Sequence, residues 1–490
     1  MTAGDGATAV NPLAVLMPGF EGPTLPGWLE ARLRDGLGGV CLFATNVESP
    51  SQLRELTAAI HAANPRAIIS IDEEGGDVSR LYQAQGSPFP GNAVLGRMDD
   101  AAVTQAVAAR VGAELAAVGV DLTLAPDVDV NSNPRNPVIG VRSFGADTAL
   151  VSRHAQAWVR GVQSTGVSAC AKHFPGHGDT SQDSHLALPE VGADESTVRA
   201  RELPPFIAAI AAGADTVMTS HLMVPALDPD LPATFSRPIL ETLLRGELGF
   251  DGVIVTDALD MAGASAGRGI PAAAVLALAG GSDLLCLGTR NTDTQLGEIA
   301  AAIDAAVARG ELDPARLADA VARCGALGAA HAERRAAGGG EVAPGRASDP
   351  TPSIVPPSAV AATFDVSDAA RDALAHGRPR VWLRLEPAAN IAVGDAPWGP
   401  FAAGVDAAAT LRPGGDVASF AGAVPAGSLA IVVGKDNHRY PWALEAVAAV
   451  RARGDAVVVD MGWPSEAAAD VATYGASRLV GDALLELIGH

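Results

Sequence analysis

Eight short apolar runs rich in β-branched residues alternate with amphipathic, alanine-rich stretches over the first 290 residues. This alternation predicts an α/β chain built on a (β/α)8 TIM barrel. A Gly/Pro-rich break and a shorter second set of such runs predict a smaller α/β C-terminal domain with a parallel sheet. The third observation is where polar residues fall: Asp72, Asp127, Asp129, Lys172, His173, His221 and Asp257 stand at or just past the ends of runs. In a barrel those ends meet on one face, where active sites are built. Strand order is not written in the runs, so a doubly wound sheet is the competing arrangement.

The runs are LAVLM after Pro12, GVCLFA around Cys41, AIISID ending at Asp72 and VDLTLAP ending at Pro126. They continue with VSACAKH ending at His173, DTVMTSH ending at His221, GVIVTD ending at Asp257 and DLLCLG ending at Gly288. Continuous apolar character is what strands covered on both faces require. Between them, SQLRELTAAIHAA from Ser51 and the alanine-rich stretch from Asp100 have helical spacing and length. The barrel is expected over residues 1–335, the linker over 336–365 and the small domain over 366–490. RVWLRLEP, SLAIVVGKD and DAVVVDMG are its strand-like runs, pointing to a sheet of three or four parallel strands.

Lys and Arg number 34 against 56 Asp and Glu, a net charge of −22, which argues against a nucleic-acid partner. No run approaches the roughly 18 apolar residues of a membrane helix, and the N-terminus lacks the basic region of a signal peptide. Three of the four cysteines lie in apolar runs, as free thiols of a reducing compartment do. A cytoplasmic location is therefore expected, with no membrane partner.

KHFPGHGDTSQDSH, Lys172 to His185, puts three histidines, two aspartates and a lysine into fourteen residues of loop. Asp183 and His185 flank Ser184, so an extended backbone would place both on one face. A carboxylate beside an imidazole fixes its tautomer and favours its charged form, a pair able to protonate a leaving oxygen and later accept a proton. His173, His177, Asp179, Asp183 and His185 could instead ligate a metal, but no HExxH or CxxC framework accompanies them, and no cofactor is expected. Asp257 follows its run directly and could attack an anomeric carbon, or cap the next helix. In IDEEGGDVSRL, Asp72 ends a run and Arg80 can return to the same face after Gly75 and Gly76, a polar cup or a structural turn. Arg142 lies in a Pro- and Asn-rich loop that also reads as plain surface. GASAG around Ser265 matches a nucleophile elbow, but its strand ends too early.

Together KHFPGHGDTSQDSH, IDEEGGDVSRL, NPVIGVRSFG and VTDALDM resemble the β-N-acetylhexosaminidase branch of glycoside hydrolase family three, in order and spacing. The resemblance implies a retaining exo-glycosidase that releases non-reducing terminal β-N-acetylglucosamine. It implies Asp257 as nucleophile, His185 tuned by Asp183 as acid/base, and Asp72, Arg80, Arg142, Lys172 and His173 as holders of the sugar. One departure is Asp77, where the family commonly has Arg after Gly-Gly. If it faces the cleft, the leaving-group site is more acidic than usual.

The expected substrates are cell-wall fragments or chitooligosaccharides. A phosphorylase using phosphate as acceptor is the alternative; a non-catalytic sugar-binding protein and a metal-dependent hydrolase come further behind. A homodimer is left open. In the small domain, GKDNHRYPW follows a strand-like run; Asp436, His438 or Arg439 is expected to reach the barrel mouth or a neighbouring subunit, unless the segment is only a surface turn.

Overall fold

The computed structural model describes residues 10–182, 188–338, 354–389, 392–464 and 469–489. All eight runs of the first part form strands: β1 (Leu16–Met17), β2 (Gly39–Leu42), β3 (Ile68–Ile71), β4 (Leu122–Thr123), β5 (Ser168–Phe174), β6 (Thr216–Thr219), β7 (Val253–Thr256) and β8 (Leu285–Cys286). β2 to β7 pair in sequence order, all parallel, and β1 pairs with β8. Two seams close the ring. The Thr256 amide donates to the Leu284 carbonyl at 3.0 Å, and the Cys41 amide to the Pro18 carbonyl at 2.9 Å. The barrel therefore prevails over the doubly wound sheet.

Alternation along the strands separates two cores. Met17, Cys41, Ile68, Leu122, Cys170, Met218, Val255 and Cys286 point into the barrel. Their neighbours, such as Val40, Leu42, Ile69 and Ile71, meet the surrounding helices. Strands covered on both faces explain why each run reads as uninterrupted apolar sequence.

The second sheet departs from expectation. It has six strands among the described residues, in the order β11–β10–β12–β13–β14–β9. β10 (Arg380–Leu385), β12 (Leu429–Gly434) and β13 (Ala456–Asp460) are the three legible runs. β9 (Asp365–Val366), β11 (Ala409–Leu411) and β14 (Val471–Ala472) are too short to carry a pattern, and β9 runs antiparallel to β14 at the edge. One apolar core runs from the barrel's outer shell into this sheet, taking in Trp382, Trp398 and Ile431. Among the described residues no helix is long and apolar enough to cross a membrane.

Candidate active site

β3 runs into Asp72, Glu73 and Glu74; β4 leads to Asp127 and Asp129; β5 carries Lys172 and His173; β7 runs into Asp257. Asp72, Glu74, Lys172, His173 and Asp257, joined by Arg80 and Arg142 from the loops after β3 and β4, line one cavity of about 310 Å3 at the ends of the strands. Cys41, Leu124, Met218 and Cys286 line its apolar part. Six of the eight residues expected at the site thus converge. Asp183 and His185 lie outside the described residues.

The turn after β3 explains how Arg80 returns to the cavity. The buried Glu73 carboxyl accepts from the Arg80 and Leu81 amides, both at 3.0 Å, and from the Ser79 hydroxyl at 2.9 Å. Burial pushes this carboxyl up to about 7 against those bonds. Gly76 passes Gly91 so closely that a Cβ would strike its backbone. The Arg80 guanidinium, 3.6 Å from Asp72, is held from its other side by the second domain: it donates to the Ala392 carbonyl at 2.7 Å and the Val393 carbonyl at 3.4 Å.

Glu74 is the hub that sequence reasoning missed. It takes both a bidentate bond from Arg142, at 2.7 and 3.0 Å, and the Lys172 ammonium at 2.7 Å. Burial acts to raise its carboxyl, yet the two cations outweigh burial and hold it well below the ordinary range. Lys172 also reaches Asp72 at 3.1 Å. Burial disfavours its charge, but Glu74 and Asp72 more than restore it. A signal was present: Glu74 stands two residues after Asp72, on the same run end.

Asp127 and Asp129 were noted at a run end without a role. Asp129 binds His173 Nδ1 at 2.7 Å and the His177 amide at 2.7 Å. Despite burial, His173 and His177 keep its carboxyl ionised, whereas burial and the Asp129 charge drive Asp127 well up. Asp127, Asp129 and His173 bring ligand atoms within 4.8 Å of one another, the arrangement among the described residues that most resembles a metal site. The Arg142 guanidinium 3.7 Å from Asp127 already supplies positive charge there. His177 is pushed down to about 4 by burial and the neighbouring His173, and so enters the cavity wall uncharged at neutral pH.

Asp257 is half-buried at the cavity, its Oδ1 accepting the Ala258 amide at 2.8 Å. His221 Nε2 bonds the Ala258 carbonyl at 3.1 Å and so steadies the turn that presents Asp257. Ser265 ends a short helix and bonds the Met261 carbonyl at 3.2 Å, which is no nucleophile elbow. Asp77 does not line the cleft. Its Oδ1 accepts the Ala476 amide of the second domain at 2.8 Å, with the Lys435 cation acting on it, so it adds an interdomain contact rather than an acidic leaving-group site.

The description "Glycosyl hydrolase family 3 N terminal domain" matches residues 30–327, well over half of the chain. The chain is 42% identical over 265 residues to the beta-hexosaminidase A of Pseudoalteromonas piscicida, a match spanning 49% of this chain and 44% of that protein. It is 39% identical over 262 residues to the beta-hexosaminidase of Pseudomonas aeruginosa, spanning 52% and 78% of the two. The chain thus spans less than half the length of the first relative and about four-fifths of the second. A glycoside hydrolase family 3 beta-N-acetylglucosaminidase from Paenibacillus superposes with a TM-score of 0.85 at 31% identity, covering 98% of this chain and 96% of that one. The matched residues take in β2 to β8 and every barrel residue that lines the cavity, and the chain belongs to glycosyl hydrolase family 3.

Proposed function

We propose that the protein is a retaining exo-glycosidase that removes non-reducing terminal β-N-acetylglucosamine from cell-wall fragments or chitooligosaccharides. The observation that carries this reading is Asp257, held at a strand end on a small cavity otherwise walled by Asp72, Lys172, Arg142 and His173. The relatives' names supply the sugar: beta-hexosaminidase and beta-N-acetylglucosaminidase.

In this mechanism the alternating charges of Asp72, Lys172, Glu74 and Arg142 hold the terminal sugar by its hydroxyls. Asp257 attacks the anomeric carbon as the bond to the aglycone oxygen breaks, and His185, oriented by Asp183, gives that oxygen its proton. Water, deprotonated by the same imidazole, then frees the sugar from Asp257 with net retention. The four buried free cysteines support a reducing, cytoplasmic setting.

The test is product identity by mass spectrometry after incubation with a nitrophenyl β-N-acetylglucosaminide, with and without phosphate. Free N-acetylglucosamine in both tubes is expected; sugar 1-phosphate formed only with phosphate would make the enzyme a phosphorylase. Asp257→Ala is expected to lower kcat by roughly 10^3-fold or more, as loss of a covalent nucleophile does. Activity kept in that variant removes Asp257 from the role.

A further inference from the structure

The turn after β12 crosses to the barrel. Arg439 Nη1 donates to the Asn136 carbonyl at 3.3 Å, from a short 3-10 turn over Asn437–Arg439. That turn is itself fixed. The Asp460 carboxylate at the end of β13 accepts the amides of Asp436 and Asn437, both at 2.8 Å, and of Gly462 at 2.9 Å. Asp436 sits in the left-handed region, φ 51, and its side chain accepts the Trp463 amide at 2.8 Å. The Arg439 amide returns to the Asp436 carbonyl at 2.9 Å. Two strand ends of the second sheet therefore aim this guanidinium at one carbonyl of the barrel.

Asn136 is the junction of the loops after β4 and β5. Its Oδ1 accepts the Val138 and Ile139 amides at 2.9 and 2.8 Å, on the way to Arg142. Its Nδ2 donates to the His177 carbonyl at 2.8 Å and to Thr180 Oγ1 at 3.3 Å. The His177–Thr180 segment has further anchors: Gly178 lies too close to the Val130 carbonyl to admit a Cβ, and Arg201 pairs with Asp179 at 2.6 Å. Three residues beyond Thr180, the chain reaches Asp183.

Among the described residues no carboxylate forms an ion pair with Arg439; its guanidinium donates to a neutral carbonyl. An arginine spent in this way fixes a position more than it adds interaction energy. We propose that Arg439 is a positioning residue. Through Asn136 it sets the segment His177–Thr180, from which the chain enters the acid/base pair, and so makes the second domain a participant in leaving-group protonation. The proposal rests on the reading of His185 as acid/base.

The experiment compares kcat/KM for two β-N-acetylglucosaminides. A dinitrophenol leaves without a proton, whereas a sugar aglycone needs one. Arg439→Ala and the stem-preserving Arg439→Met are expected to shift the ratio of the two values against the sugar by about 10-fold or more, a fraction of what a positioned acid contributes. Arg439→Lys, able to donate to the same carbonyl, is expected to recover part of the shift. A purely structural loss would lower both values together and leave the ratio unmoved. His185→Ala in the same assay separates the two ideas. If it shifts the ratio and the Arg439 variants do not, the positioning role is overturned. If His185→Ala leaves the ratio unmoved, the acid/base reading goes, and this inference with it.

Discussion

Glu74 shows how one side chain can decide the state of several others. Both Arg142 and Lys172 are buried, and this carboxylate is a counter-charge that each of them touches. Breaking such a network from one side leaves buried cations without their counter-charge, which costs about 3–5 kcal/mol. Glu74→Gln should lower stability by that order in denaturant titration and, under the proposed function, raise KM, because the cations it frees line the cavity proposed to hold the sugar. Unchanged stability would mean that Asp72 alone suffices for Lys172 and Asp127 for Arg142. Asp72, Lys172, His173 and Asp257 were legible in the sequence because a charged residue ending an apolar run has few structural reasons to be there. Glu74 and Asp129 stood in the same segments, but their work is to hold other site residues, and such contacts are set by the crossing of strands rather than by spacing.

At the scale of elements, the helix Pro314–Ala336 closes the barrel at the end opposite the site. Its last turns carry His331, Arg334 and Arg335. His331 Nε2 bonds the buried Ser168 hydroxyl at 2.9 Å, Arg334 donates to the Gly166 carbonyl at 2.8 Å, and Arg335 pairs with Asp121. Basic residues at a helix C-terminus also suit its dipole. Burial drives the His331 imidazole down from 6.5 to about 4, with Asp121 and Asp215 opposing and Arg334 and Arg335 assisting. Below its ordinary value the unfolded chain takes up a proton that the folded chain refuses. Stability is therefore lost as pH falls from about 6.5 to about 4, by up to about 3 kcal/mol. Comparing wild type with His331→Gln by denaturant titration, the difference should be constant above about pH 6.5 and move in favour of the variant on acidification through that window. A difference that ignores pH would show that His331 titrates alike in both states. The eight barrel runs were legible because a strand covered on both faces is apolar throughout. β9, β11 and β14 were not, because two or three residues cannot display a period and their pairing comes from neighbours.

At the scale of the molecule, the two sheets are joined by charge as well as by apolar packing. Asp77 accepts the Ala476 amide and lies in the field of the half-buried Lys435, whose ammonium lies 4.8 Å from the Trp398 ring centre. Burial pushes the Asp77 carboxyl up and the Lys435 ammonium down, and the charge of each opposes that shift in the other. Asp77→Ala should cost about 1–3 kcal/mol, the penalty of a buried donor left without its acceptor. In a thermal scan it should separate unfolding of the second domain from that of the barrel, and a single transition at the original temperature would count against the contact. None of these joints was legible, since no periodicity relates Asp77 to Ala476 or Asn136 to Arg439. The grip of the Ala392 and Val393 carbonyls on Arg80 carries a consequence for synthesis. A ribosome releases every strand of the barrel before it has made Ala392, so a nascent barrel waits with one wall of its cavity unsecured.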